Sequence, residues 1–526
     1  MTDHDRPDHT GEWPVHGKPE ILRATELMRR GRTFDYRHGP ELAGLEEGFS
    51  RLHEGRHALA LNSGTSALLA AYHALGIGPG DEVVVPDLTF LATASPLFLL
   101  GAVPVLCDSG DAWGNVTAET IRERIGPRTR AIVVTHLFGR PCPMDEIAAL
   151  AREHGLPLVE DCSHAHGSTY RGRRVGTFGD LAVFSIGGLK LVSGGMGGVL
   201  LAKERRHYEI ACLLSSFQQR SQATVTDPGL LRLADVGLGG NLRISPIAAV
   251  LAKAHLDRLD TLVESKERNV SRLVEALAWE GVRVPGPGPE HTMGGWYDVV
   301  VEVDPDRAGF SRDDLVHVLQ SEGVRSRVPR TAPLHRTSVF RGDPAADGPL
   351  PYPDEVRSRF FSYTEEDFPR STALHDRWVS LPGTFFNDEE GRLVEPYVRA
   401  IARARRKLRQ GGAAPARTGS AGRAAGSPGA PCSTSSPPAA WSDGSTTSRT
   451  GARTTASARS ARIPDSTRLR SPPICTHPPR AAPSSSIRAT RPWDATAPWP
   501  TGWSGSATTC PASPRSAWRS GPTSSG

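Results

Sequence analysis

The sequence predicts an α/β protein built on a mostly parallel β-sheet with helices on both faces. Short apolar runs, rich in β-branched residues and bounded by turn-forming residues, recur through the first half of the chain. Between several of these runs, apolar residues return every three or four positions, which is the spacing of a buried helix face. Strands that alternate with helices favour a parallel sheet covered on both sides.

The predicted elements follow one another along the chain. The strands are EVVVP (82–86), AVPVLCD (102–108), AIVVTH (131–136), LPLVED (156–161), LAVFSI (181–186) and GVLLAK (198–203). Helices are predicted at 66–75 and 144–154, and a long helical pattern at 246–277 leads into a smaller α+β region with a strand at 297–303 and helices at 312–322 and 395–408. We therefore predict an N-terminal arm (1–38), a large domain (39–250) and a small C-terminal domain (251–410).

The remaining segment, residues 411–526, differs from the rest in composition. It holds 13 Arg, 3 Asp and 17 Pro, a single Leu, and no Lys, Glu or Val, so it lacks the apolar residues that a core needs. We predict that it is a disordered tail. Because GC-rich DNA read out of frame encodes this residue set, we interpret the tail as a reading-frame error near Gly411. The alternatives are a genuine low-complexity linker and an Arg-rich arm for nucleic acid.

Charge and apolar patterning narrow the classes of function. The chain has a formal net charge of +5, of which the tail carries +10, so residues 1–410 carry −5. A mildly acidic body gives no reason to expect a nucleic acid partner. No stretch approaches the ~20 apolar residues of a membrane helix, and the polar N-terminus lacks a signal core. The cysteines before the tail have neither CxxC nor zinc-site spacing, which indicates free thiols in a cytoplasmic enzyme and no metal site.

A first candidate segment, NSGTSALLAAYHALG (62–76), places small residues directly before an apolar helix. Free backbone amides and the positive end of the helix dipole favour an anion there, most naturally a phosphate. The hydroxyl groups of Thr65 and Ser66 add hydrogen-bond donors. The alternative is an ordinary Ser/Thr N-cap.

A second segment, LPLVEDCSHAHGS (156–168), delivers Glu160 and Asp161 at the carboxyl end of an apolar strand. Ligands of open α/β sheets bind outside these strand ends. A carboxylate at such a place can hold the protonated ring nitrogen of a cofactor and make the ring a better electron sink. The alternative is an aspartate that caps the next turn.

The third segment, FSIGGLKLVSGGMGGVLL (184–201), places Lys190 between a strand and a run of glycines. Glycine permits close backbone approach, and a lysine amine held there can form a Schiff base with an aldehyde cofactor. The alternative is a surface lysine in a flexible loop. Together the three segments offer a phosphate cup, a carboxylate and an amine, which are the groups that pyridoxal phosphate (PLP) needs.

In this order and spacing, the segments resemble the DegT/StrS-type sugar aminotransferases, PLP-dependent fold-type-I enzymes of the aspartate-aminotransferase architecture. The resemblance runs from about Gly39 to about Leu408. Besides the three segments, it is carried by GIGPGDEVVVPDLTFLATA (76–94), LFGRPCPMDEI (137–147), the stretch 159–185 and GGNLRISPIAA (239–249). It implies a seven-stranded sheet in the large domain.

The resemblance also implies a role for each matching position. Lys190 would hold PLP as a Schiff base and then move the proton, and Asp161 would pair with the ring nitrogen. Six residues would make the other cofactor contacts: Gly64, Thr65 and Ser185 at the phosphate, Phe90 on the ring face, His164 at the ring hydroxyl, where many members have Gln, and Asn241 at the phosphate of a partner subunit. The active unit would then be a homodimer.

Two departures from the family pattern concern the Lys190 loop. Met196 stands where the family usually has an acidic residue, and Gly187 and Gly188 replace bulkier side chains. We expect a more mobile loop and a changed substrate preference, with every group that holds the cofactor retained.

The reaction that the resemblance implies is transamination from L-glutamate or L-glutamine to a nucleotide-linked keto-sugar or a keto-cyclitol, in amino-sugar or antibiotic biosynthesis. Four rivals stay open. A PLP-fold sugar dehydratase would have histidine in place of Lys190, and a non-catalytic sugar-sensing regulator would not need the intact set. A nicotinamide oxidoreductase rests on GLGGN (237–241), which is not in a βαβ unit, and a nucleic acid binder rests on the tail alone.

Overall fold

The computed structural model describes residues 13–411, except 285, 287, 289, 343–351, 353–355, 357 and 358. The predicted disordered tail therefore lies outside the described residues, apart from Gly411. Among the helices that are described, none is long and apolar enough to cross a membrane.

The described strands are short, and each predicted strand is present within one or two residues. Their bounds are β1 His57–Leu61, β2 Glu82–Pro86, β3 Val103–Cys107, β4 Thr129–Thr135, β5 Leu158–Asp161, β6 Thr169–Tyr170, β7 Arg173–Arg174, β8 Leu181–Ser185, β9 Gly198–Ala202, β10 Val282–Arg283, β11 His291–Thr292, β12 Asp298–Val303 and β13 Trp378–Pro382.

The helices that the structure describes connect these strands. Their bounds are α1 Lys18–Arg29, α2 Pro40–Leu52, α3 Gly64–Ala74, α4 Ser95–Leu99, α5 Ala118–Arg122, α6 Met144–Glu153, α7 Arg205–Ser215, α8 Gln218–Thr224, α9 Pro246–Asp257, α10 Leu259–Leu277, α11 Pro305–Ala308, α12 Arg312–Ser321, α13 Pro369–Arg377 and α14 Val394–Gly411. The long helical pattern at 246–277 is two helices, because the backbone leaves helical geometry at Arg258.

The central sheet has seven strands in the order β1-β9-β8-β5-β4-β2-β3. Strand β9 runs antiparallel to both of its neighbours, β1 and β8. The pairs from β8 to β3 are all parallel. The carboxyl ends of β1, β8, β5, β4 and β2 therefore share one edge of the sheet. The predicted α/β fold with a mostly parallel seven-stranded sheet is confirmed.

Both faces of this sheet are buried, as its apolar strands require. Along β1, Leu59 and Leu61 join the core that α3 covers, whereas Ala58 and Ala60 join the core on the opposite face, under α2 and α9. Because successive side chains of a strand point to opposite faces, this division follows from the strand geometry itself.

A second core surrounds the three-stranded antiparallel sheet β10-β12-β13. Val299 and Val301 of β12 pack there with Leu273 of α10, Leu315 of α12 and Ile401 of the last helix. The amphipathic spacing of these helices explains the packing, since each turns one apolar stripe inward. This is the predicted smaller α+β region, and its boundary at residue 251 stays a prediction.

Candidate active site

The candidate site lies at the sheet edge where β1, β5 and β8 end. Gly64 begins α3 three residues after Leu61, the last residue of β1. Asp161 and Ser185 are the last residues of β5 and β8. Because these carboxyl ends share one edge, residues from three separate segments converge there.

The predicted phosphate cup is the N-terminus of α3. Ser63 caps this helix by accepting a hydrogen bond from the Ser66 amide at 3.0 Å. The amides of Gly64 and Thr65 lie in the first turn and have no intrahelical acceptor, so they can serve an anion. The segment therefore caps the helix and also leaves backbone amides free to donate. The alternative interpretation, an ordinary Ser/Thr N-cap, is compatible with an anion site here.

Two glycines allow the close packing of this cup. A β-carbon at Gly64 would come 3.0 Å from the Ser185 Cβ, so the Ser185 hydroxyl lies directly beside the cup. A β-carbon at Gly198, the first residue of β9, would clash with the Ser63 carbonyl and come 2.6 Å from the Gly64 nitrogen. Glycine is required at position 198 because another backbone segment passes there.

Asp161 is buried and held in one orientation. The Thr93 hydroxyl donates to its Oδ2 at 2.8 Å, and the Ser163 amide donates to its Oδ1 at 3.0 Å. Thr93 in turn lies 2.7 Å from the hydroxyl of Thr89. A carboxylate oxygen accepts more than one hydrogen bond, so Asp161 can still bind a further donor.

The neighbouring acid, Glu160, points to the other face of the sheet and has a structural role. It accepts hydrogen bonds from the amides of Gly176, Phe178 and Gly179 at 2.7–2.8 Å, and its Oε2 lies 3.1 Å from His136 Nε2. Burial opposes ionisation of Glu160, but the hydrogen bond with His136 and those from the amides hold its pKa below the ordinary value.

Lys190 lies in the loop that joins β8 to β9. Its amide donates to the Gly187 carbonyl at 3.0 Å, and its Nζ lies 4.0 Å from the centroid of the Tyr297 ring. Burial lowers the pKa of its amine to about 8, although Asp161 and Asp298 favour the charged form. An amine with this pKa can accept and release a proton near neutral pH.

His164 lies beside Lys190 and packs flat on Tyr297, with 3.9 Å between the ring centroids and 5° between the planes. Burial and the positive charge of Lys190 keep its pKa well below the ordinary value, so the ring is neutral. Its Nδ1 is buried and has no hydrogen-bond partner in the described part of the chain. This nitrogen is therefore available to a bound group.

Three predicted residues face solvent in a single chain. Phe90 is 62% exposed, and Thr65 is also exposed. Asn241 is exposed, and its side-chain oxygen accepts hydrogen bonds from the Arg243 guanidinium at 3.0 and 3.1 Å. The cup, Asp161 and Ser185 lie at one sheet edge, whereas the assigned contacts of Phe90 and Asn241 stay predictions.

A cavity of about 270 Å³ adjoins Lys190. Most of the residues that line it were given no role in the site from the sequence. Tyr297 and Asp298 were part of a predicted strand without a predicted role. The cavity is also lined by Arg325, Arg327 and Arg330, from a loop whose only sequence signal is three arginines within six residues. The arm contributes Trp13, whose Nε1 donates to the Lys190 carbonyl at 2.7 Å.

The residues present fit PLP. The cup is built from glycines and hydroxyls that leave room for a phosphate, the half-buried Lys190 can reach an aldehyde, and buried Asp161 can meet a ring nitrogen. The unpartnered buried Nδ1 of His164 is a polar atom that a bound ligand would satisfy.

Comparison with known proteins identifies the family of the chain. Residues 16–384 match the model of the DegT/DnrJ/EryC1/StrS aminotransferase family. The chain is 35% identical over 291 residues to GDP-perosamine synthase of Caulobacter vibrioides, covering 55% of this chain and 76% of that protein. It is 30% identical over 347 residues to L-glutamine:2-deoxy-scyllo-inosose aminotransferase of Streptoalloteichus tenebrarius, covering 64% and 81%.

A solved structure shows the same fold. The aminotransferase from Psychrobacter cryohalolentis superimposes with a TM-score of 0.65 at 26% identity, covering 76% of this chain and 99% of that one. The matched family region contains every residue to which a cofactor contact was assigned. The chain belongs to the DegT/DnrJ/EryC1/StrS aminotransferase family, whose cofactor is PLP.

Proposed function

We propose that the protein transfers an amino group from L-glutamate or L-glutamine to a keto-sugar or keto-cyclitol. The observation that carries this proposal is the meeting of the free amides of α3, the carboxylate of Asp161 and the Ser185 hydroxyl at one sheet edge, with the Lys190 amine in the loop directly after β8. Bound PLP supplies an aldehyde that carries the amino group and a ring that accepts electrons.

Individual residues bind the cofactor and transfer the proton. The first turn of α3 and Ser185 hold the phosphate, and Asp161, fixed by Thr93, holds the ring nitrogen in its protonated form. Lys190 moves the proton between the two carbon atoms that exchange the amino group, since its lowered pKa keeps part of the amine neutral. Neutral His164 accepts or donates a hydrogen bond at the ring hydroxyl without adding charge.

The names of two relatives support the proposed class of acceptor. One relative is named for the synthesis of a GDP-linked amino sugar, and another for amination of an inosose with L-glutamine as donor. The second name describes amination of a cyclitol ketone, and the first gives a nucleotide-linked sugar as the product. We extend this chemistry to the present chain, within amino-sugar or antibiotic biosynthesis. Lys190 disfavours the dehydratase alternative, and the intact set of residues disfavours the regulator.

We further propose that the enzyme acts as a homodimer. Phe34 and Tyr36 are 63% and 47% exposed, and Tyr36 lies under the Arg243 guanidinium that holds Asn241. The Leu242 carbonyl accepts a hydrogen bond from the amide of Asn62, next to the cup. Two exposed aromatic side chains on a segment that these contacts connect to the cup support a second copy of this chain as their cover.

Light scattering of the full chain and of Tyr36→Asp tests the dimer. We expect a dimer for the parent protein and a shift towards monomer, with loss of activity, for the variant. A parent protein that is monomeric and active would contradict the proposed dimer.

We also propose a cytoplasmic location, since the four described cysteines are buried free thiols. Cell fractionation tests this proposal, and recovery in an exported fraction would contradict it.

The reaction itself is tested with the PLP-loaded full chain. A nucleotide-linked keto-hexose and an inosose are each incubated with L-glutamate or L-glutamine, and the products are examined by mass spectrometry. We expect one acceptor to gain an amino group in place of the keto oxygen, and Lys190→Ala to give no product. Absence of amination with both acceptor classes and both donors would overturn the proposal.

A further inference from the structure

The cavity beside Lys190 carries more positive than negative charge. Three guanidinium groups, those of Arg325, Arg327 and Arg330, line it together with one carboxylate, that of Asp298. The cavity reaches Tyr297, whose ring centroid lies 4.0 Å from the Lys190 amine. A molecule that reacts at the amine can therefore place another of its groups among these arginines.

The three arginines are not equivalent. Arg327 Nη2 lies 3.2 and 3.4 Å from the two carboxylate oxygens of Asp298, so this guanidinium is already compensated. The Arg325 guanidinium lies over the Phe385 ring, 4.9 Å from its centroid. Arg330 is exposed, and among the described residues none forms a hydrogen bond or an ion pair with it. Arg330 is the guanidinium that can meet an incoming anion.

We propose that this cavity is an oxyanion subsite in which Arg330 binds a carboxylate or phosphate group of the substrate. The proposal rests on the proposed aminotransferase function and adds the residue that selects an anionic substrate. A guanidinium offers parallel N–H donors that match both oxygens of such a group. Two sources share this chemistry: the carboxylate of the amino donor and the diphosphate of a nucleotide-linked acceptor.

Trp13 closes the subsite on the side of the arm. Its Nε1–H donates to the Lys190 carbonyl at 2.7 Å, and its ring centroid lies 4.5 Å from that of His255. His255 Nε2 lies 2.9 Å from the Val15 carbonyl, so the arm is attached at two points. The arm therefore supplies one wall of the cavity.

The volume favours a small anion. At about 270 Å³, the cavity lies just below the range of about 300–1,000 Å³ in which drug-sized ligands are usually buried. A five-carbon amino acid fits such a space better than a nucleotide. The geometry therefore favours the carboxylate of the amino donor as the anion that binds here. The experiment must distinguish it from the diphosphate of the acceptor.

The first test measures binding without reaction. Glutarate has the two carboxylates of glutamate but no amino group, so calorimetry on the PLP-loaded full chain reports binding alone. We expect Arg330→Gln to weaken glutarate binding roughly tenfold or more, as loss of a charge-assisted hydrogen bond requires, and Arg330→Lys to recover part of it. Arg51→Gln, an exposed arginine on α2, is the matched control. Equal glutarate binding by Arg330→Gln and the parent would overturn the proposal.

The second test assigns the source. A KM for glutamate that rises in Arg330→Gln, with the KM for the acceptor unchanged, assigns the subsite to the donor. The reverse result assigns it to the acceptor, and no change in either KM overturns the proposal. If the parent transfers no amino group, the proposed function fails, while glutarate binding still decides whether the subsite exists.

Discussion

Lys190 and Lys266 lie in different regions of the fold, and the pKa of the side-chain amine is lowered in both. Burial lowers the pKa of Lys190 to about 8 and that of Lys266 to about 7, and Asp298 opposes the shift in both. Lys190 lies in the glycine-rich loop at the sheet edge, beside a cavity. Lys266 lies within α10 and is 1% exposed. A lowered amine pKa therefore reports burial, and only access and neighbours distinguish a reactive lysine.

The strongest test of this comparison removes each amine in turn. Lys190→Ala should lower amino transfer by at least about 10³-fold, because it removes both the attachment point of PLP and the proton carrier. Lys266→Met keeps an unbranched side chain of similar size, removes the charge and should retain most of the activity. Single-turnover rates give both values, and borohydride trapping should attach the cofactor to Lys190. A cofactor trapped on Lys266 would reverse the assignment.

The second test weakens the neighbour that sets Lys190 apart. Asp161→Asn removes the negative charge that holds the protonated ring nitrogen, while the Thr93 and Ser163 hydrogen bonds can remain. Loss of about 1.5–3 kcal/mol of charge-assisted bonding corresponds to a fall in kcat of about ten- to a hundredfold. Normal turnover by Asp161→Asn, with PLP still bound, would remove Asp161 from the proposed mechanism.

The third test follows the titration of Lys190. In the aminated form of the enzyme the lysine amine is free, and only its neutral form accepts a proton. Since its pKa lies at about 8, the rate of amino transfer should rise with pH and level off above that value. Below it, the rate should fall about tenfold per pH unit. Lys266→Met should leave this profile unchanged, and a shifted profile would make Lys266 part of the proton path.

The smallest effect concerns the stability cost of burying Lys266. Its pKa is lower in the folded than in the unfolded chain, so the unfolded state binds more protons between about pH 7 and 10, and stability rises with pH there. Lys266→Met should therefore raise the free energy of unfolding by about 1–3 kcal/mol below pH 7. The gain should shrink as the pH rises. Urea unfolding at several pH values measures it, and a destabilised variant at low pH would contradict it.

Much of the fold could be predicted because apolar runs in this chain are distinct. Strands such as Glu82–Pro86 are buried along their full length and therefore read as continuous apolar segments. β1 was missed because HALAL (57–61) is short and begins with a polar histidine. β13 was missed because WVSLP (378–382) is short and ends in a proline, a residue that is uncommon within strands.

The site was predictable where its residues are local. The cup, Asp161 and Lys190 each stand at the end of a strand or the start of a helix, which a sequence pattern can locate. Tyr297 and the three cavity arginines were not predicted because only the tertiary fold brings them to Lys190. A single chain likewise leaves Asn241 at the surface, where its assigned contact needs a second subunit.

The antiparallel strand β9 also has a consequence for how the protein folds. Its pairing with β8 closes a local hairpin that carries Lys190, whereas its pairing with β1 joins Leu61 to Gly198, about 140 residues apart. Closing long loops costs more chain entropy, and distant pairings form late. The hairpin should form first and the cup should join it last. Uptake of the cofactor during refolding would therefore signal completion of the sheet rather than the initial collapse of the chain.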